Sequence, residues 1–242
     1  MTASPRPNGP ASPRRRVNAA LWRHEIGRVG WVGWSAPFAA VVVAVAFATL
    51  ANASGTPRPY VAGVLLTGLE AFVPLAVGLV AVTAIARDVG RELHLALPRS
   101  YLATLGRRVA VVAGSGAVAS ITFWVALLGT GWWSGPGPAT ATLVWLAPTL
   151  ALAGLALLVA TLGRSVVIAT TTVAALWVGQ QIYAASMAAS AWGRPFLLFL
   201  TSRVGTPDGW LTNRIVLSLA GLAMVAATAG LIHRRLLDEE ER

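Results

Sequence analysis

The sequence contains no cysteine, so neither a disulfide nor a thiolate-ligated metal site can form. Lysine is also missing: all nineteen basic residues are arginine. A phosphate-binding P-loop needs its lysine, so this chain cannot be an ATPase of that type. Charge of either sign is scarce, at 12% of residues, and only nine residues are acidic. The three histidines, His24, His94 and His233, lie at or beyond the ends of long apolar runs. No such run holds a histidine or an aspartate. A serine–histidine site or an aspartyl dyad inside one is therefore hard to build. Clusters with metal-ligand spacing are missing as well. These absences argue against an enzyme and against a cofactor bound to this chain.

What is present is apolar. Of 242 residues, 56% are hydrophobic, and the mean hydropathy is +0.67. Several runs reach the roughly 18 to 20 apolar residues that cross a bilayer. The fold class is all-α and polytopic, with six transmembrane helices. The formal charge of +10 could suggest nucleic acid. The arginines lie between apolar runs on alternating sides, however, which points to the lipid bilayer and away from nucleic acid. Arginine in place of every lysine suits GC-rich coding DNA.

Residues 1–16, rich in Pro, Ser, Gly and Arg, read as disordered. Residues 17–34 carry Leu21, Trp22, Ile26, Val29, Trp31 and Trp34 among Arg23, His24, Glu25 and Arg28. That pattern predicts an amphipathic helix lying in the membrane interface; the plainer alternative is a juxtamembrane linker. Six spans are expected at about 37–53, 60–86, 109–131, 139–162, 166–185 and 215–232. Pro37 suits the first turn of span one, and Pro74 should bend span two. Gly114, Ser115, Gly116 and Ala117 would let another helix approach span three closely. Before the last span, Pro195 to Leu200 is apolar but too short to cross, and Trp192 and Trp210 flank it. It reads as a re-entrant segment over about 192–204, the alternative being an outer loop on the bilayer surface. Residues 234–242 form a charged tail.

Basic residues follow the positive-inside rule. Fifteen arginines fall on the side of the N-terminus and only four, Arg58, Arg194, Arg203 and Arg214, on the other. Both termini are expected in the cytoplasm. Residues 87–108, RDVGRELHLALPRSYLATLGRR, then form a cytoplasmic loop. Pro98 divides it, and residues 100–108 read as a short amphipathic helix with Tyr101, Leu102 and Leu105 on one side. Its apolar content exceeds what a tether needs and suits docking to a soluble partner; a charged loop that only fixes topology is the simpler reading.

One acid, Glu70, lies inside a span, and such residues are functional candidates. It stands sixteen residues from the inner end of span two, about 24 Å at helical rise. Gln180, with Gln181 beside it, stands about 21 Å up span five by the same measure. Glu70, Gln180 and Gln181 can share one level, either as a polar ring in a substrate path or as glue between helices.

This layout resembles the membrane subunit of a type-2 ABC exporter. The likeness covers the whole chain: an interfacial N-terminal helix, six spans, a first cytoplasmic loop with a coupling helix, and a re-entrant segment before the last span. The most specific part is RDVGRELHLALPRSYLATLGRRVAVV, an acid (Glu92), an apolar stretch (Leu93 to Leu97), Pro98, then Arg107 and Arg108 entering span three. Leu93 and His94 stand where that family usually has small residues. The resemblance implies a permease in a bacterial cell membrane, paired with a second copy or a paralogue. A separate ABC ATPase subunit would carry ATP and magnesium. Arg91, Glu92, Tyr101, Leu102 and Leu105 would contact that ATPase, and spans two and five would line the path. A non-transporting membrane anchor or assembly subunit is the competing class. A secondary transporter ranks below both, since one acid and no clear internal repeat fit that class poorly.

Overall fold

The computed structural model describes the backbone over residues 13–86 and 101–240, and side chains over 26–27, 29–83 and 103–235. The chain is an all-α polytopic protein, with no strand among the described residues. Among the described residues, six helices are long and apolar enough to cross a membrane.

The first long helix, α1, covers Pro13–Ala53. Gly30 interrupts it with φ 74° and ψ 162°, a backbone region essentially restricted to glycine. The break falls at Gly30, not after Trp34, so Trp31 and Trp34 belong to the first span, Val29–Ala53. Pro37 consequently lies inside that helix instead of in its first turn. Residues 13–16, expected to be disordered, are helical, consistent with the good helix propensity of arginine and with proline in a first turn.

Span two is built from α2 (Arg58–Thr67), a π-helical turn (Gly68–Phe72) and α3 (Val73–Ala86). Pro74 was expected to bend this span, and the irregularity lies immediately before it. A proline ring crowds the carbonyl four residues back, here that of Glu70. The turn is accommodated by the wider ring that Val73 N–H closes onto the Gly68 carbonyl. Residues 87–100, most of the expected coupling loop, lie outside the described residues.

Span three, α4, runs from Tyr101 to Gly129 as one helix. Residues 101–108 are therefore its first two turns and not a separate short helix. No proline stands anywhere in 101–129 to end it. Span four, α5, covers Pro138–Gly163, and span five, α6, covers Val166–Ala189. Between them Arg164 takes the left-handed conformation (φ 48°), and the Ser165 side chain accepts from Ile168 N–H at 3.3 Å. A single 3-10 turn (Arg194–Phe196) and the five-residue α7 (Leu200–Val204) follow. Span six, α8, extends over Trp210–Glu240. It begins five residues earlier than hydropathy suggests and carries the tail as helix, since Leu, Arg and Glu favour that state.

Spans two and four form the interior, with 67% and 61% of their apolar stretches buried. Spans one, five and six are peripheral, at 17%, 17% and 22%. Small residues set the closest crossings, as expected where lipid removes the hydrophobic drive between helices. A Cβ on Gly154 of α5 would lie 2.5 Å from the Gly221 carbonyl oxygen of α8. In span three Gly116 is the close contact, against Val77, while Gly114 faces open space.

Candidate functional site

A buried polar cluster occupies the centre of the half of the bundle opposite the N-terminus. It begins with Glu70, in the middle of the π-helical turn, fully enclosed. Twelve residues separate it from Arg58, which places it about 18 Å along the helix from that end. Backbone without regular structure is tolerated at such depth only where protein buries it and satisfies its polar groups. The segment between spans five and six meets both conditions.

Leu197, Leu198, Phe199 and Leu200 are all buried, inserted among spans two, four, five and six. Their backbone groups are capped by side chains from three spans. Glu70 Oε1 accepts from Thr201 N–H at 2.8 Å, and Glu70 Oε2 accepts from Ser202 N–H at 2.6 Å. Both belong to the first turn of α7, so Glu70 serves as a cap supplied from another helix, with its charge at the favourable end. Gln180 accepts from Leu198 N–H at 2.7 Å and donates to the Phe196 carbonyl at 3.0 Å. Asn213 Nδ2 reaches the carbonyls of Arg194, Pro195 and Leu197 at 2.8, 3.1 and 2.9 Å.

Arg214 closes the cluster. It is fully buried, forms an ion pair with Glu70, donates to the Leu198 carbonyl at 3.1 Å and donates to Thr201 Oγ1 at 2.6 Å. Trp210 donates its indole N–H to the same hydroxyl at 2.9 Å, and its ring faces the Arg214 guanidinium at 5.5 Å. On the other side, Trp177 donates to the Ala71 carbonyl in the π-helical turn at 3.1 Å and packs edge-on against Phe199.

Glu70, Gln180 and Gln181 thus gather around one segment, Gln181 through a hydrogen bond from Arg203. The polar atoms of Glu70 and Gln180 are directed into the protein, whereas Gln181 meets Arg203 at the surface. Both Glu70 oxygens and both Gln180 polar atoms are engaged, so in this conformation neither side chain faces a path. Span two is the most enclosed of the six, so it offers little surface to line one. Span five keeps an exposed face, with Ile182 68% and Tyr183 63% accessible.

Arg214 and Asn213 were missed by the hydropathy reading, which placed them in the outer loop. A usable signal was present: a lone intramembrane acid needs a cation, and Arg214 borders an apolar run on the side where arginine is scarce. At the opposite end, Leu105 is buried in the bundle, because the continuous α4 turns it inward. It does not present an open docking face. Thr104 and Arg108 beside it are also buried. Arg91 and Glu92 lie outside the described residues, as do the side chains of Tyr101 and Leu102. No protein-family model, curated protein or solved structure matches the chain.

Proposed function

We propose that the chain is the permease subunit of an ATP-driven exporter of the type-2 ABC class, inserted in the cell membrane with both termini cytoplasmic. It pairs with a second permease and works with a separate ATPase subunit bound at the 87–108 loop. The observation that carries this reading is the segment before the last span. It is folded deep into the outer half and held there by Glu70, Gln180, Asn213 and Arg214. A simple tether between spans has no need of so many buried polar contacts, whereas an outer seal that must keep its shape while helices move does. The helix broken at Gly30, at the start of the first span, and the absence of any lysine for a P-loop fit the same assignment.

The surface left for a path is the exposed face of span five, around Val178, Ile182 and Tyr183. Its apolar character favours a hydrophobic or amphipathic cargo. One observation favours the anchor reading instead: Glu70 and Gln180 are spent on internal contacts, leaving few polar groups to handle a substrate.

Gentle purification of the tagged full-length chain from its native membrane separates the two. A stoichiometric partner carrying a P-loop is expected, and Arg91→Glu with Glu92→Arg should release it while leaving insertion intact. Absence of any ATPase, under conditions that preserve other complexes of that membrane, would establish the anchor reading.

A further inference from the structure

An open groove runs along the lipid-facing side between spans one and three, with span two as its floor. It extends from Phe38 to Asn52 on α1, about 21 Å at helical rise. That length exceeds one leaflet of a hydrocarbon core about 30 Å thick. The lining is mostly apolar, with Asn52 and Thr122 as polar exceptions. The hydroxyls of Thr49 and Thr130 are turned back onto the Ala46 and Ala126 carbonyls of their own helices at 2.8 and 2.7 Å.

The cavity holds about 550 Å³, and about 1200 Å³ with its open side included. Over about 21 Å these volumes correspond to mean cross-sections of about 26 and 57 Å². A helix about 10 Å across would need about 79 Å². The enclosed part of the groove is narrower than a whole helix and wide enough for one hydrocarbon chain.

Beside its outer end stands a positive charge, Arg58, which touches the lining through Trp132. Trp132 lines the groove there, and the Arg58 guanidinium lies 4.9 Å from the centre of the Trp132 ring. Arg58 also donates to the Gly131 carbonyl at 2.9 Å. That bond and the ring hold the guanidinium beside Trp132, and Arg58 is otherwise exposed. Arg58 is one of only four arginines assigned to this side of the membrane. An aliphatic slot flanked by a positioned guanidinium matches a lipid that joins an acyl chain to an anionic head group.

We propose that this groove binds one anionic glycerophospholipid, an acyl chain lying between spans one and three and the phosphate meeting Arg58. The site is separate from the polar cluster at Glu70 and does not depend on the transport reading.

Native mass spectrometry of the purified chain, with phosphatidylglycerol or phosphatidylcholine added, tests it. One phosphatidylglycerol per chain should be retained in preference to phosphatidylcholine. Arg58→Gln should weaken that retention about tenfold, as expected for loss of a charge-assisted bond, and Arg58→Lys should restore most of it. Ala126→Trp, which fills the groove, should abolish retention with Arg58 intact. Leu222→Trp, on the exposed face of span six, should have no effect. Equal retention of both lipids, or retention unchanged by Arg58→Gln and Ala126→Trp, would overturn the proposal and mark the bound lipid as ordinary bilayer contact. A dimer that Ala126→Trp disrupts would overturn it in favour of a protein occupant.

Discussion

Glu70 and Arg214 are 144 residues apart in sequence and form a fully enclosed ion pair. Removing one member of such a pair strands the other charge, which typically costs about 3–5 kcal/mol. Arg214 also holds the Leu198 carbonyl and the Thr201 hydroxyl, and Glu70 holds two backbone N–H groups. Neutralising both residues together will therefore not restore stability fully. Glu70→Ala and Arg214→Met should each lower thermal stability in detergent strongly. The double variant should fall short of their sum by about 1–3 kcal/mol, the coupling of residues in one network. Strict additivity would mean that the two side chains do not meet. Glu70 stood out in the sequence because it is the lone acid in an apolar run. Its role could not be read there, since a path and a cap both require an acid at that depth.

At the scale of elements, glycine decides two features for different reasons. Gly30 supplies a backbone conformation that other residues avoid, and it separates the N-terminal helix from span one. Gly154 and Gly221 instead supply absence of volume, because the backbones of α5 and α8 touch where they cross. Gly221→Val would drive a branched side chain into the Leu150 carbonyl and force the two helices apart. It should cut the yield of folded protein and lower the thermal midpoint sharply. The same change at Gly114, which faces open space, should have little effect. Equal tolerance at both positions would disprove this crossing. The short α7 is the opposite case. Five residues cannot sustain a helix alone, and this one exists because Glu70 caps it and the surrounding spans bury it.

For the whole molecule, the arrangement places two enclosed spans at the centre and leaves the faces of the others to lipid or to partners. The proposed orientation can be tested directly because the natural chain has no cysteine. A single cysteine at Thr56, in the turn after span one, should react with an impermeant thiol reagent on intact cells. One at Ser165, in the turn after span four, should react only after permeabilisation. The reverse pattern would invert the topology and move the 87–108 loop away from any cytoplasmic ATPase.

Sequence alone determined the number, order and approximate limits of the six spans. The bilayer fixes how long an apolar run must be, and each span satisfies its own backbone, so no distant contact is needed to recognise one. It also flagged the short apolar run before the last span, because Pro195 to Leu200 is too brief to cross. Where a span's end depends on side-chain partners, hydropathy misplaced it. Asn213 and Arg214 count as loop by polarity, yet they lie within α8 because carbonyls and a carboxylate await them. Leu105 has the pattern of a docking face, yet it turns inward because nothing ends the helix beneath span three. The burial of the segment before the last span, its four polar anchors and the groove beside Trp132 were decided only by the tertiary structure. Each depends on which helices become neighbours, and that follows from small residues and long-range pairs that local composition does not encode.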